Sequence, residues 1–278
     1  MAKEITSTLK GLYPDHTFPS AEVVPDSLIL QIATVTSAPE GDVPVVRVPY
    51  VENDPTVGFV KEGEEIPTAN PKLNEVLIQT KKLAILSEQS REASSYDESA
   101  LAISTSLQRA ITMKADHAFL NSEADPTGLW NMAGVIDAGT VTDSFDPFTD
   151  AIMGIEANMG KATAIVIDPA SWGALSKLKY TSGVLQLGSP AEQASRTLFG
   201  LPVYVTPSME AGHALVVSRE DLIAAVGQIG LNISTEAAFR ADSIVYRAIW
   251  RIGWNVVHPD RMAKVAITLP AGKTNAKA

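Results

Sequence analysis

Three glutamates crowd one short stretch of this chain, Lys61-Glu62-Gly63-Glu64-Glu65. Paired carboxylates can serve as general acid and base when burial drives their pKa values apart. These flank a glycine in a solvated turn, where nothing tunes them. Lys61, Glu62, Glu64 and Glu65 therefore read as contacts to a neighbouring subunit rather than as catalysts. Gly160-Lys161 invites a phosphate-loop reading. That motif needs a glycine five residues earlier and Ser or Thr after the lysine, and the chain has Ile155 and Ala162 there. Gly160 reads instead as a helix C-cap. Ser7-Thr8-Leu9-Lys10 has the Ser-x-x-Lys form of acyl-enzyme serines, with no second motif beside it. His16, His117, His213 and His258 are scattered, with no pair at helical i, i+4 spacing. Asn232-Ile233-Ser234 fits a glycosylation acceptor, without a sign of secretion. Trp172, Trp250 and Trp254 read as packing residues. No motif unites a nucleophile, a base and an orienting group. The expectation is no enzyme, no cofactor and no metal.

Composition narrows the class further. The 278 residues include no cysteine, so disulfides and thiolate chemistry are excluded. The hydrophobic fraction of 45% is that of a folded chain. No run of about 18 apolar residues suits a membrane span, and the N-terminus lacks the apolar stretch of a signal peptide. The formal net charge is -10, and the 22 basic residues are spread along the chain. Binding nucleic acid by neutralising phosphates needs them clustered. An acidic container for DNA is compatible with that distribution; a reader of DNA sequence is not.

The acidic turn must be carried by something, and its flanks say what. Val43–Tyr50 is β-branched, with prolines that confine it to an edge. Residues 75–88 read as a second strand, so 43–88 forms a hairpin with the turn at its tip. At about 15 residues per strand it would span roughly 50 Å, more than a core accommodates. Isolated hairpins are marginal in water, so such an arm needs a neighbour to lie on. Residues 1–40 read as an N-terminal arm leading to a short helix or strand near 26–35. Ser95 and Glu98 form a capping box for one long amphipathic helix over 97–121. Its apolar stripe includes Ile103, Leu107 and Ile111. Its polar face carries Ser104, Gln108, Arg109, Lys114 and Asp116. Asp146-Pro147 caps a second helix through Phe148, Ile152, Ile155 and Met159, and Asp168-Pro169 starts a third. Strands are expected at 163–167, 201–206, 214–218 and 222–226, around one sheet. Two long strands follow at 243–252 and 255–258, and a last one at 262–269.

Separated segments along this chain resemble the major capsid proteins of tailed bacteriophages. They are Phe59-Val60-Lys61-Glu62-Gly63-Glu64 with Lys81-Lys82-Leu83-Ala84, Pro126-Thr127-Gly128-Leu129, Val166–Leu175, and Leu198-Phe199-Gly200-Leu201-Pro202-Val203-Tyr204-Val205. Residues 240–259 are similar to the family's closing strands. The resemblance implies an α+β, HK-ninety-seven-type capsid fold: an N-terminal arm and start of core at 1–40, an extended loop at 41–83, and a peripheral domain with a spine helix at 84–125. An axial domain follows at 126–235, then a return to the peripheral domain and a C-terminal tail at 236–278. It further implies self-assembly into pentamers and hexamers of an icosahedral shell enclosing double-stranded DNA, in a virion assembled in the host bacterial cytoplasm. With the loop signature so near Met1, no fused scaffolding segment is expected. A separate scaffolding protein, a portal and a decoration protein are the implied partners, with no membrane. The alternative reading is an encapsulin-type shell protein enclosing an enzyme cargo.

Overall fold

The computed structural model of the chain describes residues 16–18, 24, 26–36, 45–53, 55, 57–63, 65, 68, 70–91, 97–188 and 196–269. The expected capping box at Ser95 and most of the expected N-terminal arm lie outside them. In chain order the elements begin with β1 (His16–Phe18), α1 (Leu28–Ile32) and β2 (Thr34–Thr36). The arm and spine follow as β3 (Val45–Asn53), β4 (Lys72–Gln79), β5 (Lys81–Ser90) and α2 (Asp97–Asn121). Next come β6 (Ile136–Val141), α3 (Asp146–Ala157), β7 (Ala164–Ile167), α4 (Pro169–Leu175), β8 (Thr197–Leu198), β9 (Leu201–Val205) and β10 (His213–Val217). The chain closes with β11 (Leu222–Ala238), β12 (Ser243–Val256) and β13 (Ala263–Ile267).

Two sheets organise these strands. One runs β1-β11-β12-β5, with β2 also pairing along β11 in parallel. The other runs β6-β13-β10-β7-β9-β8. A separate two-stranded ribbon, β3-β4, is the arm. The spine helix spans the expected residues. Ile111, Ala115, Phe119 and Leu120 are buried in one core with Val226, Ile229, Ala248, Trp250 and Ile252 of the first sheet. Burying an apolar stripe on a sheet is what stabilises a helix of this composition. Phe119 meets Trp254 edge to face, with centroids 5.3 Å apart. A second core holds Phe148, Ile152 and Ile155 of α3 against Ile165, Ile167, Val216 and Val265 of the second sheet. Asp168 caps α4, accepting from the Ala170 and Ser171 amides at 2.8 and 3.0 Å.

Several expectations need correcting. The strand expected at 75–88 is two strands divided at Thr80. β4 pairs with β3 in the arm, while β5 pairs with β12 in the first sheet. The arm strands are thus 9 and 8 residues long rather than about 15. The strand at 222–226 does not belong to the sheet of 163–167. It is the start of the 17-residue β11 in the other sheet. The pieces expected at 243–252 and 255–258 are one strand, β12. The last strand, β13, lies in the second sheet between β10 and β6, and so does not return to the sheet that holds β12. Asp146 does not cap α3; that position is Phe145, with Asp146 in the first turn. Met159 lies beyond that helix, largely exposed, at φ 59°. The left-handed residue is therefore Met159, not Gly160. Gly160 is needed for space, because a Cβ there would sit 2.8 Å from the Arg261 side chain. Asp116, expected on the solvated face of the spine, is buried. The side chains of Ile103 and Ser104 lie outside those described. No helix among the described residues is long and apolar enough to cross a membrane.

Candidate self-assembly interface

The arm has two unlike faces because its side chains alternate. On the inner face Val46, Val48, Val76 and Ile78 pack on Ile223, Ala225 and Val257, and Ile78 is fully buried. Tyr50 meets His258 edge to face at 5.4 Å. The Asn255 side-chain amide donates to the Leu77 carbonyl at 2.9 Å. The root is fixed at Thr80, whose carbonyl accepts from Arg251 Nη1 at 3.2 Å. β12 passes so close there that Gly253 has no room for a Cβ: one would sit 2.3 Å from the Gln79 carbonyl oxygen. The outer face is bare. Val45, Val51, Leu73 and Leu77 are exposed along it. Arg47–Glu75 at 3.0 Å lies among them, and Lys72–Glu52 at 2.8 Å bridges the arm's far end. Glu52 holds the Lys72 ammonium above its usual range through a hydrogen bond and its charge. Both pairs are solvated, so neither adds much to stability.

Beyond the strands lies the tip. Val57 and Phe59 are almost wholly exposed, and Phe59 has no cover from its own chain. Lys61, Glu62 and Glu65 are exposed in the same segment, which turns at Gly63 with φ 86°. The structure thus brings together three of the four expected contact residues and leaves them in solvent. Glu64 falls outside the described residues. Phe59 is exposed beside them, one aromatic next to a cluster of acids.

Several of the other candidates among the described residues are packing residues. Trp250 and Trp254 are buried, donating to the Gly227 and Thr127 carbonyls at 3.0 and 2.8 Å. His213 stacks on Trp130 with centroids 3.7 Å apart, and burial lowers its imidazole pKa. His117 is exposed on the spine. Among the described residues no three His, Asp or Glu side chains converge as metal ligands.

A two-sheet α+β body with a long spine helix and a projecting arm whose outer face is bare describes a shell subunit. The chain belongs to the phage capsid family, whose pattern matches residues 21–267. Its fold, of the HK-ninety-seven type, is similar to that of solved shell proteins. Gordonia phage Cozz aligns with a TM-score of 0.70 at 16% identity over 97% of this chain and 92% of that one. Mycobacterium phage Bobi gives 0.70 at 15% identity over 95% and 98%. The capsid of an empty GTA particle gives 0.69 at 17% over 88% and 90%. Comparison with curated proteins gave no significant match. The protein is a major capsid protein that forms a shell with copies of itself and resides in the virion; the encapsulin alternative is not favoured.

Proposed function

We propose that the protein closes into an icosahedral shell of pentamers and hexamers around phage double-stranded DNA, which it encloses without reading its sequence. The arm, expected at 41–83, lies across a neighbouring subunit. The acidic tip at Lys61, Glu62, Glu64 and Glu65 meets that neighbour. The second sheet with α3 and α4 supplies the axial unit, expected at 126–235, that meets its copies around the symmetry axes. The first sheet with the spine forms the peripheral unit. In this reading the chain performs no catalysis. It assembles in the host bacterial cytoplasm with a separate scaffolding protein, a portal and a decoration protein. The bare arm carries the proposal: exposed valines, leucines and a phenylalanine along one face of a thin ribbon form an apolar patch of the kind a partner covers.

Electron microscopy of the expressed protein, alone and with the scaffolding protein, tests this. Closed shells protecting DNA from nuclease are expected. Monomers under every condition would overturn the proposal, and shells holding a co-purified enzyme would favour a cargo compartment instead.

A further inference from the structure

At the root of the arm, between β5, α2 and the end of β12, lies a cleft of about 260 Å³. Its floor is apolar, made by Leu83, Ala115, Ala118, Ile252 and Trp254. Lys81, Lys82, Lys114 and Asp125 line its edge. Lys81 pairs with Asp125 at 3.3 Å. Lys82 and Lys114 are exposed and form no ion pair with another described residue. Two free cations over an apolar floor stand out on a chain of net charge -10.

The tip of the arm has the complementary composition: Phe59 uncovered, then Glu62 and Glu65 within six residues of it. It cannot fill the cleft of its own subunit. The cleft sits at the arm's root, and the tip lies beyond the eight residues of β4, roughly 26 Å away at 3.3 Å per residue. We propose that the arm tip of one subunit seats in the lysine-lined cleft of a second copy, with Phe59 on the apolar floor and Glu62 and Glu65 against Lys82 and Lys114. This rests on the reading of the arm as an inter-subunit limb and names its receptor. An aromatic anchor in a desolvated pocket gives the contact its strength, and the surrounding charges set its register. Each contact is modest, and the closed shell repeats it.

The absence of cysteine makes the test clean, since any disulfide must come from introduced residues. Subunits carrying only Phe59→Cys and subunits carrying only Ala118→Cys are co-assembled, oxidised and run on a non-reducing gel. A covalent dimer is expected from the mixture and from neither variant alone. In parallel, Glu62→Lys with Glu65→Lys, and separately Lys82→Glu with Lys114→Glu, should each lower shell yield about tenfold. All four together should restore it to within about threefold. These side chains are exposed, and unchanged melting temperatures of the free subunits identify variants that still fold. Shells that form without the cross-link, a dimer from Phe59→Cys alone, or a lysine reversal that leaves assembly intact would overturn the cleft assignment while leaving the arm reading in place. No loss from the glutamate reversal would overturn both.

Discussion

At the residue scale, one buried carboxylate ties the start of the chain to its longest helix. Asp116 Oδ1 accepts from the Ser27 hydroxyl and the Leu28 amide, both at 2.9 Å. It is 6% exposed, and burial raises its pKa to about 6 against those stabilising hydrogen bonds. The native state therefore holds this proton more tightly than the unfolded chain. The stability so contributed is complete below about pH 4 and is lost as pH rises through about 6. Asp116→Asn keeps an acceptor for Ser27 and Leu28 and removes the titration. Relative to the parent, it should gain roughly 2–3 kcal/mol between pH 4 and 7.5. Paired thermal melts across that range check this, and a pH-independent difference would refute it. Asp116→Ala should instead destabilise by about 1–3 kcal/mol, by orphaning two buried donors. Gly253 makes a different point. Its Cβ would meet the Gln79 and Thr80 backbone, which cannot swing aside. Gly253→Ala should lower the melting temperature and speed proteolysis between residues 72 and 90, read by limited digestion and mass spectrometry.

At the scale of elements, the spine was legible and the strand partners were not. Helical spacing of Leu107, Ile111, Ala115 and Phe119 locates the burial face from residue types alone. Ile111→Ala should cost about 2–5 kcal/mol, and Leu107→Ala, 9% exposed and outside the main core cluster, should lie near the lower end. Chemical denaturation of the free subunit measures both, and an unshifted midpoint for Ile111→Ala would contradict the packing. The division at Thr80 is marked only by the polar run Gln79-Thr80-Lys81-Lys82. Across it the covered positions shift from Val76 and Ile78 to Leu83 and Ile85 as the strand changes partner from β3 to β12. A short polar run between two apolar ones does not by itself distinguish a change of partner from one continuous strand. β6 reads Ile-Asp-Ala-Gly-Thr-Val, its strand formers split by Asp-Ala-Gly, and it is held by pairing with β13. The glycines of β11 and β12 made long strands look short. Asp116 looked solvated since neither the helix nor its spacing reveals that Ser27 and Leu28 lie 88 or more residues away as donors. The acidic tip announced itself by composition. Its proposed receptor did not, because residues 81–83, 114–118 and 252–254 meet only in the fold.

On the scale of the whole molecule, the chain is acidic and its proposed subunit contact is a local reversal of that charge. Shell formation should therefore first improve as salt screens the general repulsion between subunits, then decline as it screens the tip and cleft. Light scattering across an ionic-strength series measures the profile, and a response that only rises would leave apolar burial as the sole driver. The topology has a further consequence, for the ribosome. β1 and β2 pair with β11, β5 with β12, and β6 with β13. The early strands thus wait for partners made near the end of synthesis. Such non-local pairing folds slowly, and neither sheet can be completed on a nascent chain. Interrupted translation products lack the last strand of the second sheet or the central strands of the first. Products that lack β11 and β12 should stay open to proteases, which pulse digestion of stalled chains would measure. A chain cut short before β11 lacks both the seat of its own arm, Ile223 and Ala225, and the Ile252 and Trp254 floor of the proposed cleft, so it has no docking site to offer a growing shell.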